Sequence, residues 1–121
     1  EGGRVVLQAI TVKDSFFETY KTSSEYIRQY AFPGGILLSD RVISQQAKNV
    51  GLEVRDSFAF GQDYAKTCRI WSESLVSQNC KITELGYGDS FFRNWQYCME
   101  ICAASFAVSH TNVVQVELAH A

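Results

Sequence analysis

The chain has 121 residues, 46% of them hydrophobic and 13% aromatic, which suits one globular unit with a substantial core. Its net charge of −2 and pI near 5.6 exclude the basic field that draws in nucleic acid, so no nucleic-acid partner is expected. The same mild acidity argues against purely electrostatic attachment to anionic lipid, and no apolar run is long enough to span a bilayer.

Residues 5–12 are β-branched and mostly apolar without clean alternation, which predicts a strand covered on both faces inside an α/β sheet. An interior strand needs a neighbour on each side. With one neighbour missing, the strand should expose an edge and favour a homo-oligomer through edge pairing or swapping. Lys13, Asp14 and Ser15 read as a turn, and residues 16–30 as helical in their second half. Ser23 or Ser24 is the candidate cap there, with Tyr26, Ile27 and Tyr30 as an apolar stripe. Pro33, the sole proline, should stop that helix. Phe32, Pro33, Gly34 and Gly35 then form either a plain connector or the wall of a cavity.

Ser39 and Asp40 are N-cap candidates for the next helix, with Val42, Ile43, Ala47 and Val50 as its buried face and Gly51 just past its end. Residues 52–60 predict a half-buried strand with Leu52, Val54, Phe58 and Phe60 on one face and Asp56 awkwardly inward. A helix follows, beginning beside Asp63, whose carboxylate can accept from free N–H groups, and running to about residue 82. Gly61 suits the junction because it lacks a Cβ. Tyr64 falls in the first turn, and Cys68, Trp71, Leu75 and Ile82 are predicted to face inward. Spacing leaves two readings of Tyr64 open: a core aromatic, or a phenol facing a reaction cavity at a strand end.

Leu85, Gly86, Tyr87 and Gly88 break the helix, and Asp89 or Ser90 caps another. Phe91, Trp95, Cys98, Cys102 and Phe106, widened by Phe92, Met99 and Ala103, predict deep burial of that helix. Residues 112–118 close as a strand with Val114, Val116 and Leu118 alternating. Cys68, Cys80, Cys98 and Cys102 all lie in apolar stripes and read as buried free thiols, which fits a reducing cytosol. A disulfide or metal is the alternative, but His110 and His120 lack finger-like spacing and no metal site is expected. Strands separated by helices predict an α/β layer. Composition and spacing alone reach no activity: there is no serine nucleophile elbow, metal-binding helix or phosphate loop.

Nearly the entire chain resembles the C-terminal part of the cyclopropane-fatty-acyl-phospholipid synthases, S-adenosylmethionine-dependent enzymes. Gly2-Gly3-Arg4, Leu7-Gln8-Ala9-Ile10-Thr11 and Tyr26-Ile27-x-x-Tyr30-x-Phe32-Pro33-Gly34-Gly35 carry the resemblance. So do Gly51-Leu52-Glu53-Val54, Gly61-x-x-Tyr64-x-x-Thr67-x-x-x-Trp71, Leu85-Gly86-Tyr87, Phe91-x-Arg93-x-Trp95-x-Tyr97 and Val113-Val114-Gln115-Val116. It implies an α/β fold: the C-terminal part of a methyltransferase-type sheet, with the last of its three strands reversed and central, and four main helices. The chain would be a single partial domain lacking the cofactor-binding half, with no cofactor-binding residue of its own.

The family transfers the sulfonium methyl group to a cis double bond, and a proton then passes to bound bicarbonate as a cyclopropane ring closes. The resemblance therefore implies S-adenosylmethionine and bicarbonate as cofactors of the intact enzyme, neither binding tightly to this fragment. Tyr64 matches the tyrosine whose hydroxyl contacts bicarbonate, and Ile10 the isoleucine whose backbone joins the same site. Gln8 stands where many members have histidine; it can donate to an anion but cannot become cationic. The other contacts, a glutamate and a cysteine, belong to the absent half. Phe32, Pro33, Gly34 and Gly35 would line the acyl-chain side. Unsaturated phospholipid acyl chains are the implied partners, handled by a cytoplasmic enzyme peripheral to the inner membrane face. The competing reading is a non-catalytic lipid-binding or regulatory remnant of the same fold.

Overall fold

The computed structural model describes residues 2–23 and 25–121. Ser24, one of the two candidate caps, lies outside the described residues. Strand β1 (Arg4–Val12) leads to helix α1 (Phe17–Thr22), a π-helical turn (Ile27–Ala31) and helix α2 (Asp40–Asn49). Strand β2 (Leu52–Ala59) then feeds helices α3 (Gly61–Ser77), α4 (Asn79–Glu84) and α5 (Asp89–Ala107), and strand β3 (Thr111–His120) closes the chain. The sheet order is β1-β3-β2, with β3 antiparallel to both neighbours. The last strand is thus the central, reversed one, as the resemblance implies.

β3 is the axis of the core because both of its edges are paired, one face is covered by α2 and the Val113 end of the other by α3 and α5, with Gln115 left exposed. Val114, Val116 and Leu118 meet Ile43 and Ala47 of α2, with Leu7, Ala9 and Leu52 packed beside them. Val113, pointing the other way, meets Ala65 and Cys68 of α3 and Ala103 and Phe106 of α5. Helix α2 follows its expected punctuation. Ser39 accepts at 3.4 Å from the Val42 N–H, and Gly51 takes φ +76° just past the end, a left-handed conformation that disfavours any Cβ. Val50, expected in the buried face, is exposed beside that turn.

Several expectations are corrected. Between residues 16 and 30 the order is reversed: α1 occupies the first half, Ser23 ends it, and the second half holds the π turn. β1 is an edge strand with Val5 and Val6 exposed, so its apolar start is not covered on both faces. In β2 a bulge intervenes, Val54 facing Leu118 but Asp56 facing Glu117. The inserted Arg55 switches the alternation, so Leu52 and Val54 lie on the α2 face and Phe58 and Phe60 on the other. Asp56 is exposed rather than buried.

The helix expected over residues 63–82 starts earlier, at Gly61, and is interrupted at Gln78. Its buried residues are Gly61, Ala65, Cys68 and Ser72, while Trp71 is 46% exposed. Gly88, not Asp89 or Ser90, is the N-cap of α5. Only Cys98, Ala103 and Phe106 of α5 are buried, and Phe91 is exposed. Cys80 is exposed and Cys102 half-buried, so the buried thiols are Cys68 and Cys98. Among the described residues no helix is long and apolar enough to cross a membrane.

Candidate active site

The β2–α3 junction is built by three consecutive residues, each tied to another element. The Phe60 N–H donates to the Val113 carbonyl at 2.9 Å, extending the β2–β3 ladder by one bond. The Gly61 N–H donates to Asn112 Oδ1 at 2.8 Å. Gln62 Nε2 donates to the carbonyls of Phe106 at 3.0 Å and Ala107 at 3.2 Å, and to Ser109 Oγ at 3.1 Å. Those carbonyls belong to the last turn of α5; the Phe106 carbonyl also accepts from the Ser109 N–H at 3.0 Å. Asp63 does not cap α3; the helix has no side-chain cap of its own at Phe60, and Asn112 serves one of its free N–H groups from across the fold. Gly61 is required here by close approach, since a Cβ would collide with Asn112 Oδ1 and lie 3.1 Å from the Asn112 Cα.

Tyr64 follows one turn later, its N–H bonded to the Phe60 carbonyl at 3.1 Å. Its ring is boxed edge-on by Phe60, Trp71 and Phe106, with centroids at 6.4, 5.8 and 5.2 Å. The ring is therefore half of what spacing suggested, a core aromatic. The hydroxyl is different: among the described residues it has no hydrogen-bond partner, and it is not fully buried. Burial, then the nearby Cys68 and Cys102, push its pKa up, which keeps the phenol protonated and a hydrogen-bond donor.

Gln8 and Ile10 lie on the same side of the sheet as Tyr64. Ile10 is opposite Val113, the strand residue of the cluster against which Tyr64 packs. Gln8 is opposite Gln115, whose Nε2 donates to Gln8 Oε1 at 3.0 Å, leaving the Gln8 amide NH₂ to donate elsewhere. The Val12 N–H points away from β3, to the Leu38 carbonyl at 2.9 Å. By the antiparallel alternation, Ile10 turns its backbone N–H and carbonyl to that same outer edge. Among the described residues no hydrogen bond joins Tyr64 to Gln8 or Ile10.

The Phe32, Pro33, Gly34 and Gly35 loop lies elsewhere, against the first half of α5. Phe32 meets Trp95 edge-on at 6.2 Å, and Tyr26 meets Tyr97 at 4.6 Å and hydrogen-bonds Asn94. Arg28 pins the loop, donating to the carbonyls of Tyr20 at 2.8 Å, Ser23 at 2.9 Å and Gly35 at 3.2 Å. A groove of about 670 Å³ opens beside it, between Tyr26 and Tyr30 on one wall and Phe91, Arg93 and Asn94 on the other. The loop residues themselves do not line that groove.

Cys68, Cys98 and Cys102 gather behind Tyr64, and burial pushes all three thiols up, Cys102 to about 12. Neutral thiols of this kind are poor nucleophiles and poor metal ligands. Among the described residues no group of His, Cys, Asp or Glu could hold a metal ion. Asn112, Gln62, Gln115 and Arg28 went unrecognised in the sequence. Asn112, Gln62 and Gln115 act through partners 51, 44 and 107 residues away, which no local pattern records, whereas Arg28 acts on carbonyls five to eight residues away.

A three-stranded sheet with its last strand reversed in the middle and helices on both faces defines a methyltransferase-type α/β layer. The mycolic acid cyclopropane synthase CmaA1, solved in complex with SAH and CTAB, shares it: TM-score 0.85 at 23% identity, over 96% of this chain and 44% of that one. The chain belongs to the mycolic acid cyclopropane synthetase family, whose model matches residues 1–116. It is 30% identical to tuberculostearic acid methyltransferase UfaA1 of Mycobacterium tuberculosis, over 94% of this chain and 27% of that protein. It is 31% identical to the cyclopropane-fatty-acyl-phospholipid synthase of Escherichia coli K12, over 75% of this chain and 23% of that protein. The chain thus spans about a quarter of the length of these curated relatives.

Proposed function

We propose that this chain is the C-terminal part of an S-adenosylmethionine-dependent enzyme that adds a methylene or methyl group to the double bond of unsaturated phospholipid acyl chains. The observation that carries the reading is Tyr64: its ring is fixed by three aromatic neighbours, while its hydroxyl stays protonated and has no hydrogen-bond partner among the described residues. The hydroxyl, the free amide NH₂ of Gln8 and the outward backbone of Ile10 lie on one side or edge of the sheet. This donor set fits bicarbonate, a small planar anion. When bound, bicarbonate supplies the base that accepts the proton lost from the added carbon. Tyr64 and Gln8 would orient it by donating hydrogen bonds, and as neutral donors they would lower its basicity less than a cation would.

The residues of this chain do not fit S-adenosylmethionine. Its tight strand-to-helix turn, Phe60 to Gly61, spends its first two N–H groups on Val113 and Asn112 and carries no glycine-rich loop. We assign cofactor contacts to the part of the relatives that this chain does not span. The exposed aromatics Tyr30 and Phe32 beside the α5 groove support acyl-chain contact at a membrane surface.

Full-length protein incubated with S-adenosylmethionine and monounsaturated phospholipid vesicles should yield lipids one carbon heavier with the double bond consumed, read by mass spectrometry. Unmodified lipid from folded, cofactor-binding protein would sink the reading.

A further inference from the structure

We infer that Asn112 is a positioning residue for Tyr64, holding the phenol at its working place through the first turn of α3. The inference rests on the proposed function, but its geometry is independent of it. Helix α3 lacks a side-chain cap at Phe60, so the acceptor for its first N–H comes from outside the helix. The fixing comes from β3. Asn112 Oδ1 accepts from Gly61 at 2.8 Å and from its own neighbour Val113 at 2.9 Å, which orients the amide along the strand. Val113 adjoins it and accepts from Phe60, and Phe60 in turn accepts from the Tyr64 N–H. A path of backbone hydrogen bonds thus runs from Val113 to Tyr64, and the Asn112 side chain holds Gly61, the residue between Phe60 and the rest of the turn, beside it.

The steric side of the contact is as strict as the polar side. Gly61 leaves no room for a Cβ against Asn112, so the helix start seats directly on the strand. Gln62 clamps the same turn to the end of α5, and Phe106 of that end carries the Tyr64 ring at 5.2 Å. Loss of Asn112 leaves the Gly61 N–H without its acceptor and frees the turn to shift. A reacting group displaced by about 1 Å can lose on the order of 100-fold in rate.

The test uses the full-length protein with monounsaturated phospholipid vesicles and S-adenosylmethionine. Asn112→Ala should lower the product rate per folded molecule by roughly tenfold or more. Asn112→Asp, which keeps an acceptor at a helix start, should restore most of it. In a Tyr64→Phe background, Asn112→Ala should cost nothing further. An equal loss in both backgrounds, or no recovery with aspartate, would overturn the inference. The geometry has its own readout: with ¹³Cζ-labelled tyrosine, Asn112→Ala should shift the Tyr64 resonance and Asn112→Asp should not. A Tyr64→Phe enzyme of full activity would end the proposed function while leaving that resonance to judge the anchor; an unmoved resonance would overturn the anchor itself.

Discussion

Gln115 holds Gln8 by one amide-to-amide hydrogen bond of 3.0 Å across the β1–β3 pair. The bond spends the carbonyl of Gln8 and leaves its NH₂ to donate elsewhere, so Gln115 would decide which end of Gln8 the proposed bicarbonate meets. Removing the donor with Gln115→Met lets the amide turn and present oxygen, which repels an anion. A lost hydrogen bond of about 1 kcal/mol corresponds to roughly a fivefold rise in the bicarbonate concentration giving half-maximal product. Titrating bicarbonate in the lipid-modification assay checks this. An unchanged midpoint would show that the Gln8 amide does not meet the anion.

Gly61→Ala sets helix propensity against close packing. Alanine favours a helix by about 1 kcal/mol over glycine. The added methyl meets Asn112 Oδ1 and lies 3.1 Å from the Asn112 Cα, and that Cα belongs to a central strand that cannot withdraw. Overpacking of this kind costs about 1–3 kcal/mol, so the net effect is destabilising. Urea unfolding should show a lower midpoint; an unchanged or higher one would mean that the junction is looser than it stands here.

How much of this was legible in the sequence depends on whether a feature is written locally. The alternation of Val114, Val116 and Leu118 marks a strand face, and Ser39 and Gly51 mark the two ends of α2, because each signal and its effect lie within a few residues. The central, reversed place of β3 came from family resemblance, since periodicity says nothing of strand order. The bulge at Arg55 was invisible: one inserted residue moves Phe58 to the other face while the pattern still reads as alternating. Asn112 and Gln62 were invisible for another reason, capping helix ends through partners 51 and 44 residues away. The apolar face of α5 predicted burial, but Phe91 and Trp95 instead join the aromatic wall with Phe32 and Tyr87.

The thiols behind Tyr64 make stability fall in alkali. Burial raises the folded pKa of Cys102 to about 12, whereas the unfolded thiol ionises near 9. The folded chain thus keeps a proton that the unfolded chain loses. Stability from this source is full below about pH 9 and is lost as pH rises toward about 12. The raised Cys68, Cys98 and Tyr64 act in the same direction. Urea midpoints should drop from about pH 8 to about pH 11, and Cys102→Ala should flatten that slope. In native protein at about pH 8, iodoacetamide should label the exposed Cys80 before the other three. Equal labelling would contradict the burial.

Apart from the Val12 to Leu38 bond, the outer edge of β1 makes no backbone hydrogen bond among the described residues, and Val5 and Val6 beside it are exposed. The isolated 121-residue chain should therefore self-associate as its concentration rises, seen as a growing weight-average mass in sedimentation equilibrium. A proline at Val6 should suppress it, because proline neither donates nor fits an added strand. A strictly monomeric chain would contradict edge pairing.

The most direct measurement is Tyr64→Phe in the full-length enzyme, with modified lipids counted by mass spectrometry. Phenylalanine keeps the ring against Phe60, Trp71 and Phe106 and removes only the hydroxyl, so folding should be preserved. Product should fall by about 100-fold, within the range general for a group that assists proton transfer, with a blunted response to added bicarbonate. Wild-type yield with a wild-type bicarbonate response would contradict this, returning Tyr64 to a purely structural place in the core.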